Sequence, residues 1–193
     1  EVLSDFQIDD EGLDLYLPQE IQPKIKKEEN IIGFCPGSRH FTKQYPKDYF
    51  IQLGEQLNNV DYKIALFGGK DDKELCNEIS SKIKNAIDLS TDNDILQIAC
   101  DMQECKTIVC NDSGLMHIAS AVKVPIVAIF GSSVKEFGFT PYKAKSMIIE
   151  NESLKCRPCS HIGRESCPKK HFKCMLEIKP GMVFQNLKNF VEV

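Results

Sequence analysis

The chain has 193 residues, 42% hydrophobic and 27% charged, with 24 Lys+Arg against 28 Asp+Glu and a formal net charge of -4. That composition suits one large globular domain, and the negative balance disfavours general nucleic-acid binding, because a polyanion would have to be held by a local basic patch. No segment has the pattern of a secretory signal, and the longest apolar run, about Val124 to Phe130, is far below the ~20 residues that cross a bilayer, so a soluble chain is expected. It begins with Glu1 and not Met, which fits an excised or processed piece as well as an intact protein.

Residues 1–30 carry only a weak apolar pattern (Leu13, Leu15, Leu17) and the charged stretch Lys24 to Glu29, which predicts a linker or edge segment. From Ile31 the pattern sharpens into short apolar runs alternating with helical spacing. Ile31 to Cys35 reads as a strand, followed by the polar loop Pro36 to Tyr45 and a helix that Pro46 opens and that runs to about Asn58. Tyr62 to Phe67 is a second strand, broken by Gly68-Gly69. Asp71-Asp72 then start a helix to about Lys84, acids leading and lysines trailing as the macrodipole favours. Ala86 to Leu89 is a short third strand, and Asp92 or Asn93 caps a helix to about Glu104.

Lys106 to Cys110 is a fourth strand that stops at Asn111-Asp112-Ser113-Gly114, after which Leu115, Ile118, Ala119 and Val122 mark one helical face. Pro125 ends that helix, Ile126 to Phe130 form a fifth strand ending at Gly131-Ser132-Ser133, and Ser146 to Glu150 a sixth. Residues 151–179 read as a Cys-rich, basic loop and residues 180–193 as a closing amphipathic helix. Strands separated by single helices need parallel pairing. The expected fold class is therefore α/β, a doubly wound, mostly parallel, Rossmann-like sheet filling residues 31–193. In that architecture the loops after the strands converge on one edge, where ligands bind.

Those loops hold the candidate residues. Pro36-Gly37-Ser38-Arg39 with Lys43 supplies amides, a hydroxyl and two cations at one strand end, which is either chemistry for phosphate oxygens or an ordinary solvated loop. Neither G-x-G-x-x-G nor G-x-x-x-x-G-K-[ST] occurs. Asp72 either accepts from ribose hydroxyls or caps its own helix. The Asp112-Ser113-Gly114 turn presents free N–H groups at the positive end of a helix dipole, a ready anion site. Asp112 could itself occupy that site as a cap; the alternative is that Ser113 caps while Asp112 binds sugar hydroxyls. His117, one turn on, either faces the same pocket or is a structural histidine.

Nine cysteines divide into two groups. Cys35, Cys76, Cys100, Cys105 and Cys110 sit within apolar patterns, where a thiol acts as a small buried hydrophobe. Cys156, Cys159, Cys167 and Cys174 follow the spacing C-x2-C-x7-C-x6-C, which leaves zinc, disulfides and plain thiols open. An odd total without a secretory signal points to a reducing compartment. Around these four lie Lys155, Arg157, Arg164, Lys169, Lys170 and Lys173 against the single acid Glu165, a basic loop that either faces an anionic acceptor or membrane surface or is simply solvated.

Taken together, Pro36-Gly37-Ser38 with Lys43-Gln44-Tyr45-Pro46, Gly68-Gly69-Lys70-Asp71-Asp72, Asn111 to His117, Gly131-Ser132-Ser133 and the Cys156-Arg-Pro-Cys159 cluster resemble the heptosyltransferase-type glycosyltransferases of family 9. The resemblance implies the C-terminal, donor-binding half of a two-domain GT-B enzyme that moves heptose from an ADP-sugar to the lipopolysaccharide inner core. By position it implies that Lys43, with Ser38 and Arg39, contacts the donor phosphates and stabilises the leaving group, that Asp72 holds the ribose, and that Asn93 lies near the adenine. Asp112, Ser113, Gly114, Leu115 and His117 would line the sugar and diphosphate. Tyr45 stands where such enzymes often have Trp, and Ser113 where many have Thr. No cofactor is required in such enzymes; the acceptor site and the carboxylate base belong to an N-terminal domain that this stretch does not contain, so these residues alone would bind donor and not transfer it. The implied location is cytoplasmic, with peripheral contact at the inner face of the inner membrane. A different class of function stays open beside it, a non-catalytic interaction module held by a metal on the four cysteines.

Overall fold

A computed structural model describes residues 12–27, 30–90 and 94–191. Their centre is a six-stranded sheet in the order β3-β2-β1-β4-β5-β6, built from β1 (Ile31–Cys35), β2 (Lys63–Leu66), β3 (Ile87–Asp88), β4 (Thr107–Asn111), β5 (Ile126–Phe130) and β6 (Ser146–Glu150). Every neighbouring pair, β5 with β6 included, is parallel. The helices are α1 (Lys47–Asn58), α2 (Lys73–Ser80), α3 (Ile95–Gln103), α4 (Gly114–Ala121), α5 (Lys173–Leu176) and α6 (Pro180–Val191).

The central strands β1, β4 and β5 are buried along their whole length, which explains why they read as continuous apolar runs and not as alternating ones. Successive residues still point to opposite faces. Ile32 and Phe34 join Phe50, Leu53 and Leu57 of α1, Ile79 of α2, and Val183 and Leu187 of α6. Ile31 and Cys35 join Ile98, Ala99 and Met102 of α3 with Met116 and Ala119 of α4. The sheet is thus covered on both sides, as a doubly wound fold requires. Residues 12–27 run irregularly along the second side: the Leu15 N–H donates to the Ala121 carbonyl at 3.2 Å, the Lys24 N–H to the buried Asp101 carboxylate at 2.5 Å, and Ile25 is buried.

Several helix ends differ from their sequence expectation for local reasons. Pro46 has φ -57° but an extended ψ of 135°, so it precedes the first helical residue of α1. Helix α2 stops at Ser80, where the Ser80 and Ser81 hydroxyls donate back to the Asn77 and Glu78 carbonyls and compete with continuation of the helix. Helix α3 is capped by Asp94, whose carboxylate accepts from the Leu96 N–H at 2.9 Å. The residues expected to cap it, Asp92 and Asn93, lie outside the described residues. Among the described residues no helix is long and apolar enough to cross a membrane.

Candidate functional site

The chain leaves β1 toward β2 on one side and returns to β4 on the other, so the carboxyl ends of β1 and β4 face each other across the point where strand order reverses. Open parallel sheets bind ligands at that crevice. Here it is organised by Asn111, the last residue of β4 and fully buried. Its Oδ1 accepts the Tyr45 N–H at 3.0 Å and its Nδ2 donates to the Pro36 carbonyl at 2.7 Å. One amide therefore closes the Pro36 to Tyr45 loop at both ends. The Tyr45 hydroxyl donates to the Ile178 carbonyl at 2.8 Å, and burial holds this phenol well above its usual pKa.

Within that loop Lys43 is buried, and its ammonium lies 2.7 Å from Asp112 Oδ2, which also accepts the Ser133 hydroxyl at 2.5 Å. Ser38 Oγ donates to the Asp112 carbonyl at 3.3 Å. Asp112 is therefore the anchor of the Lys43 cation and not a helix cap. Ser113 occupies the N-cap position of α4 in extended conformation, but its side chain makes no capping bond. Its Oγ is the one buried side-chain oxygen or nitrogen without a partner among the described residues. A buried hydroxyl left unsatisfied carries a desolvation cost of about 1–3 kcal/mol unless something fills the place beside it. It stands at the amide end of α4, next to Gly114, where an anion is favoured.

These groups line a cavity of about 310 Å³, bounded by Ser38, Arg39, His40 and Lys43 on the β1 side, Asp112, Ser113, Gly114 and His117 on the β4 side, and Phe139, His161 and Ile162 beyond. The structure thus gathers Ser38, Arg39, Lys43, Asp112, Ser113, Gly114 and His117. Asp72 stands beside the cavity: its Oδ2 accepts the Gly69 N–H at 2.9 Å, and its carboxylate presses on Gly37 so closely that any Cβ there would collide. Leu115 packs against the core through its side chain. Asn93 lies outside the described residues. Phe139, His161 and Ile162 were not legible, since they come from loops without periodicity; His40 lies in the Pro36 to Tyr45 loop expected at this edge but was not singled out. Only proximity in the fold identifies them.

The four clustered cysteines lie near one another in the fold. Among the described residues no group of three or more His, Cys, Asp or Glu side chains is arranged to hold a metal ion. Cys174 is buried with the hydrophobic core, its thiol pushed up to about 11 chiefly by desolvation. Cys159 Sγ donates to the Cys156 carbonyl at 3.4 Å, and Cys156 Sγ meets His171 Nε2 at 3.8 Å. Cys167 accepts the Phe172 N–H at 3.4 Å. Burial alone would raise its pKa, but backbone N–H groups of Phe172, Lys169, His171 and Lys170 outweigh that and lower it. All nine cysteines are free.

In the basic loop Lys155, Arg164, Lys169, Lys170 and Lys173 are exposed, and Arg157 is the exception. Arg157 has a side-chain exposure of only 4% and ties the ends of β5 and β6 together. Its guanidinium donates to the carbonyls of Gly131, Asn151, Phe130 and Ser133 and pairs with Glu150 at 2.6 Å.

The fold is a doubly wound, GT-B-like half with a cavity at its switch point, and the comparisons with known proteins give its family. Residues 4–170 match the model of glycosyltransferase family 9 (heptosyltransferase). The chain belongs to that family. It is 32% identical over 173 residues to lipooligosaccharide heptosyltransferase 2 of Campylobacter jejuni, covering 85% of this chain and 52% of that protein. To lipopolysaccharide heptosyltransferase 2 of Salmonella typhimurium it is 35% identical over 131 residues, 65% of this chain and 37% of that one. The structure of the E. coli ADP-heptose LPS heptosyltransferase II superposes with a TM-score of 0.72 at 29% identity, covering 88% of this chain and 48% of that chain. The chain spans about half the length of the first curated relatives it matches.

Two predictions follow the geometry. Replacing Arg157 with Met frees the four carbonyls it holds and leaves the nearly buried Glu150 carboxylate with only the longer contact to Lys135 at 3.7 Å, so urea denaturation should show a loss of up to about 3–5 kcal/mol, partly recovered in the Arg157→Met/Glu150→Gln double variant; a loss below about 1 kcal/mol in the single variant would contradict the clamp. A thiol reagent at pH 8 should modify Cys167 first and leave Cys76, whose thiol is pushed up to about 12 by burial, untouched until the chain unfolds. Peptide mapping after timed alkylation reads both, and early modification of Cys76 would count against its burial.

Proposed function

We propose that these residues form the donor-binding half of a heptosyltransferase, holding an ADP-sugar in the crevice between β1 and β4. The observation that carries this reading is the pairing of a buried cation, Lys43 on Asp112, with an unsatisfied buried hydroxyl, Ser113 Oγ, at the amide end of α4. Cation, hydroxyl and free amides on one wall are what a diphosphate needs. The E. coli structure described as an ADP-heptose LPS heptosyltransferase supports adenine as the base and heptose as the sugar. The names of the curated relatives support a lipopolysaccharide or lipooligosaccharide core as acceptor.

In this reading Lys43, Arg39 and Ser38 hold the diphosphate and stabilise it as it departs, so that negative charge developing on the leaving group meets donors already in place. By the family resemblance Asp72 would hold the ribose and Asn93, which lies outside the described residues, the adenine. Gly114 and His117 lie toward the sugar. The carboxylate that deprotonates the acceptor hydroxyl, and the acceptor site itself, belong to the part of the relatives' length that this chain does not span. The enzyme would work in the cytoplasm, reaching its lipid-linked acceptor at the inner face of the inner membrane. No observation favours the metal-held interaction module.

Calorimetric titration of the chain with ADP, UDP, GDP and CDP tests the reading. ADP should bind best, and Lys43→Ala or Asp112→Ala should each weaken it about tenfold or more, as expected for loss of a charge-assisted contact of roughly 1.5–3 kcal/mol. Equal affinity for all four nucleotides, or indifference to both substitutions, would contradict it.

A further inference from the structure

The Cys-rich loop returns from β6 to the cavity and is fastened there at one residue. Thr42, 1% exposed, donates its N–H to the Arg164 carbonyl at 3.1 Å, while its hydroxyl oxygen accepts the Arg164 N–H at 2.8 Å. The same hydroxyl accepts from Ser132 Oγ at 2.9 Å, and the Thr42 carbonyl accepts the Ser132 N–H at 3.2 Å. Ser132 in turn accepts the Cys159 N–H at 3.0 Å. Three segments, the Lys43 loop, the end of β5 and the Cys-rich loop, therefore meet at Thr42, the residue directly before the buried lysine.

Just before Arg164 the loop makes a closed turn. Ser160 Oγ accepts the Gly163 N–H at 2.8 Å and donates to the Gly163 carbonyl at 2.9 Å. Gly163 has φ +103°, and a Cβ there would lie 2.7 Å from His40 Cβ, so only glycine allows the turn to press against the Lys43 loop. His161 and Ile162 are the tip of this turn, and both line the cavity, with Phe139 nearby. Ile162 and Phe139 are exposed there, apolar groups at the rim of an otherwise polar cavity.

Strand order says which part of a ligand they meet. On the donor reading, Asp72 follows β2 and holds the ribose while the Lys43–Asp112 pair stands between β1 and β4, so a nucleoside would lie toward β2 and β3 and its diphosphate over the centre. The group beyond the diphosphate must then extend toward β5 and β6, where the turn stands. A sugar ring has a C–H face that suits Ile162 and Phe139 and hydroxyls that suit His161 and His117.

Building on the donor reading, we propose that the Ser160 to Gly163 turn is the sugar-facing wall of the cavity, that Ile162 determines sugar selectivity, and that Thr42 is the positioning residue that holds this wall beside Lys43. The test compares the affinity of ADP-heptose with that of ADP for the wild-type chain and for the variants Ile162→Ser, Thr42→Val and Thr42→Ser. Ile162→Ser should lower the ratio of ADP-heptose to ADP affinity by about tenfold, the size of effect expected for loss of one apolar contact. Thr42→Val keeps the shape but loses the hydroxyl and should lower the same ratio, while Thr42→Ser, which keeps the hydroxyl, should restore it. A purely structural role for Thr42 would weaken both ligands alike and leave the ratio unchanged. An unchanged ratio in Ile162→Ser and Thr42→Val overturns the proposal while the donor reading stands. A wild-type chain that binds neither ligand overturns the donor reading and this proposal with it.

Discussion

The two hydrogen bonds of the buried Asn111 amide are the constraint on which the site depends. The loop after β1 is ten residues of largely polar chain with one proline and no periodicity, and nothing in its own sequence fixes its path. Asn111 fixes it from the neighbouring strand by taking one bond from the end of the loop and giving one to its start. The amide can be oriented only one way, since a backbone N–H must meet its oxygen and a backbone carbonyl its nitrogen. The residue next to it, Asp112, then receives Lys43 at 2.7 Å, and the next, Ser113, offers its free hydroxyl. Three consecutive side chains thus clamp, charge and open one cavity.

Energetically this is a low-dielectric arrangement that is only partly complete within the protein. The Lys43–Asp112 pair removes two charges from water, a cost that the pairing and the Ser133 hydroxyl offset. The cation has further donors beyond the one Asp112 takes. The Ser113 hydroxyl has none of that internal compensation. An anion entering beside it finds donors already oriented, with little reorganisation left to do. The Cys-rich loop serves the same end from outside, through the Arg157 guanidinium on four carbonyls and through Thr42, rather than through its sulfur atoms.

Much of the fold was legible because α/β periodicity is local. Buried parallel strands announce themselves as short apolar runs, and the strand-to-helix turn at Asn111 to Gly114 was visible as an abrupt break. Seven of the proposed site residues follow from the rule that loops after parallel strands share one edge. What was illegible is what depends on contacts distant in sequence. Asn111 lies 75 residues from Pro36, and Thr42 lies 122 from Arg164. The C-x2-C pair and two later cysteines resemble a ligand set in sequence; in the fold Cys174 packs with the core and Cys167 accepts backbone N–H groups, neither of which the spacing shows. Ser113 looked like a cap because serine commonly is one; the chain instead leaves its hydroxyl without a partner.

The central claim is that the crevice between β1 and β4 is a sugar-diphosphate site. A crystal structure of the chain with ADP-heptose tests it most directly. Diphosphate oxygens should lie within hydrogen-bonding distance of Ser113 Oγ, the Gly114 N–H and the Lys43 ammonium, with the adenosine toward β2 and β3. Nucleotide bound elsewhere on the sheet edge, with Ser113 Oγ still unpartnered, would contradict it.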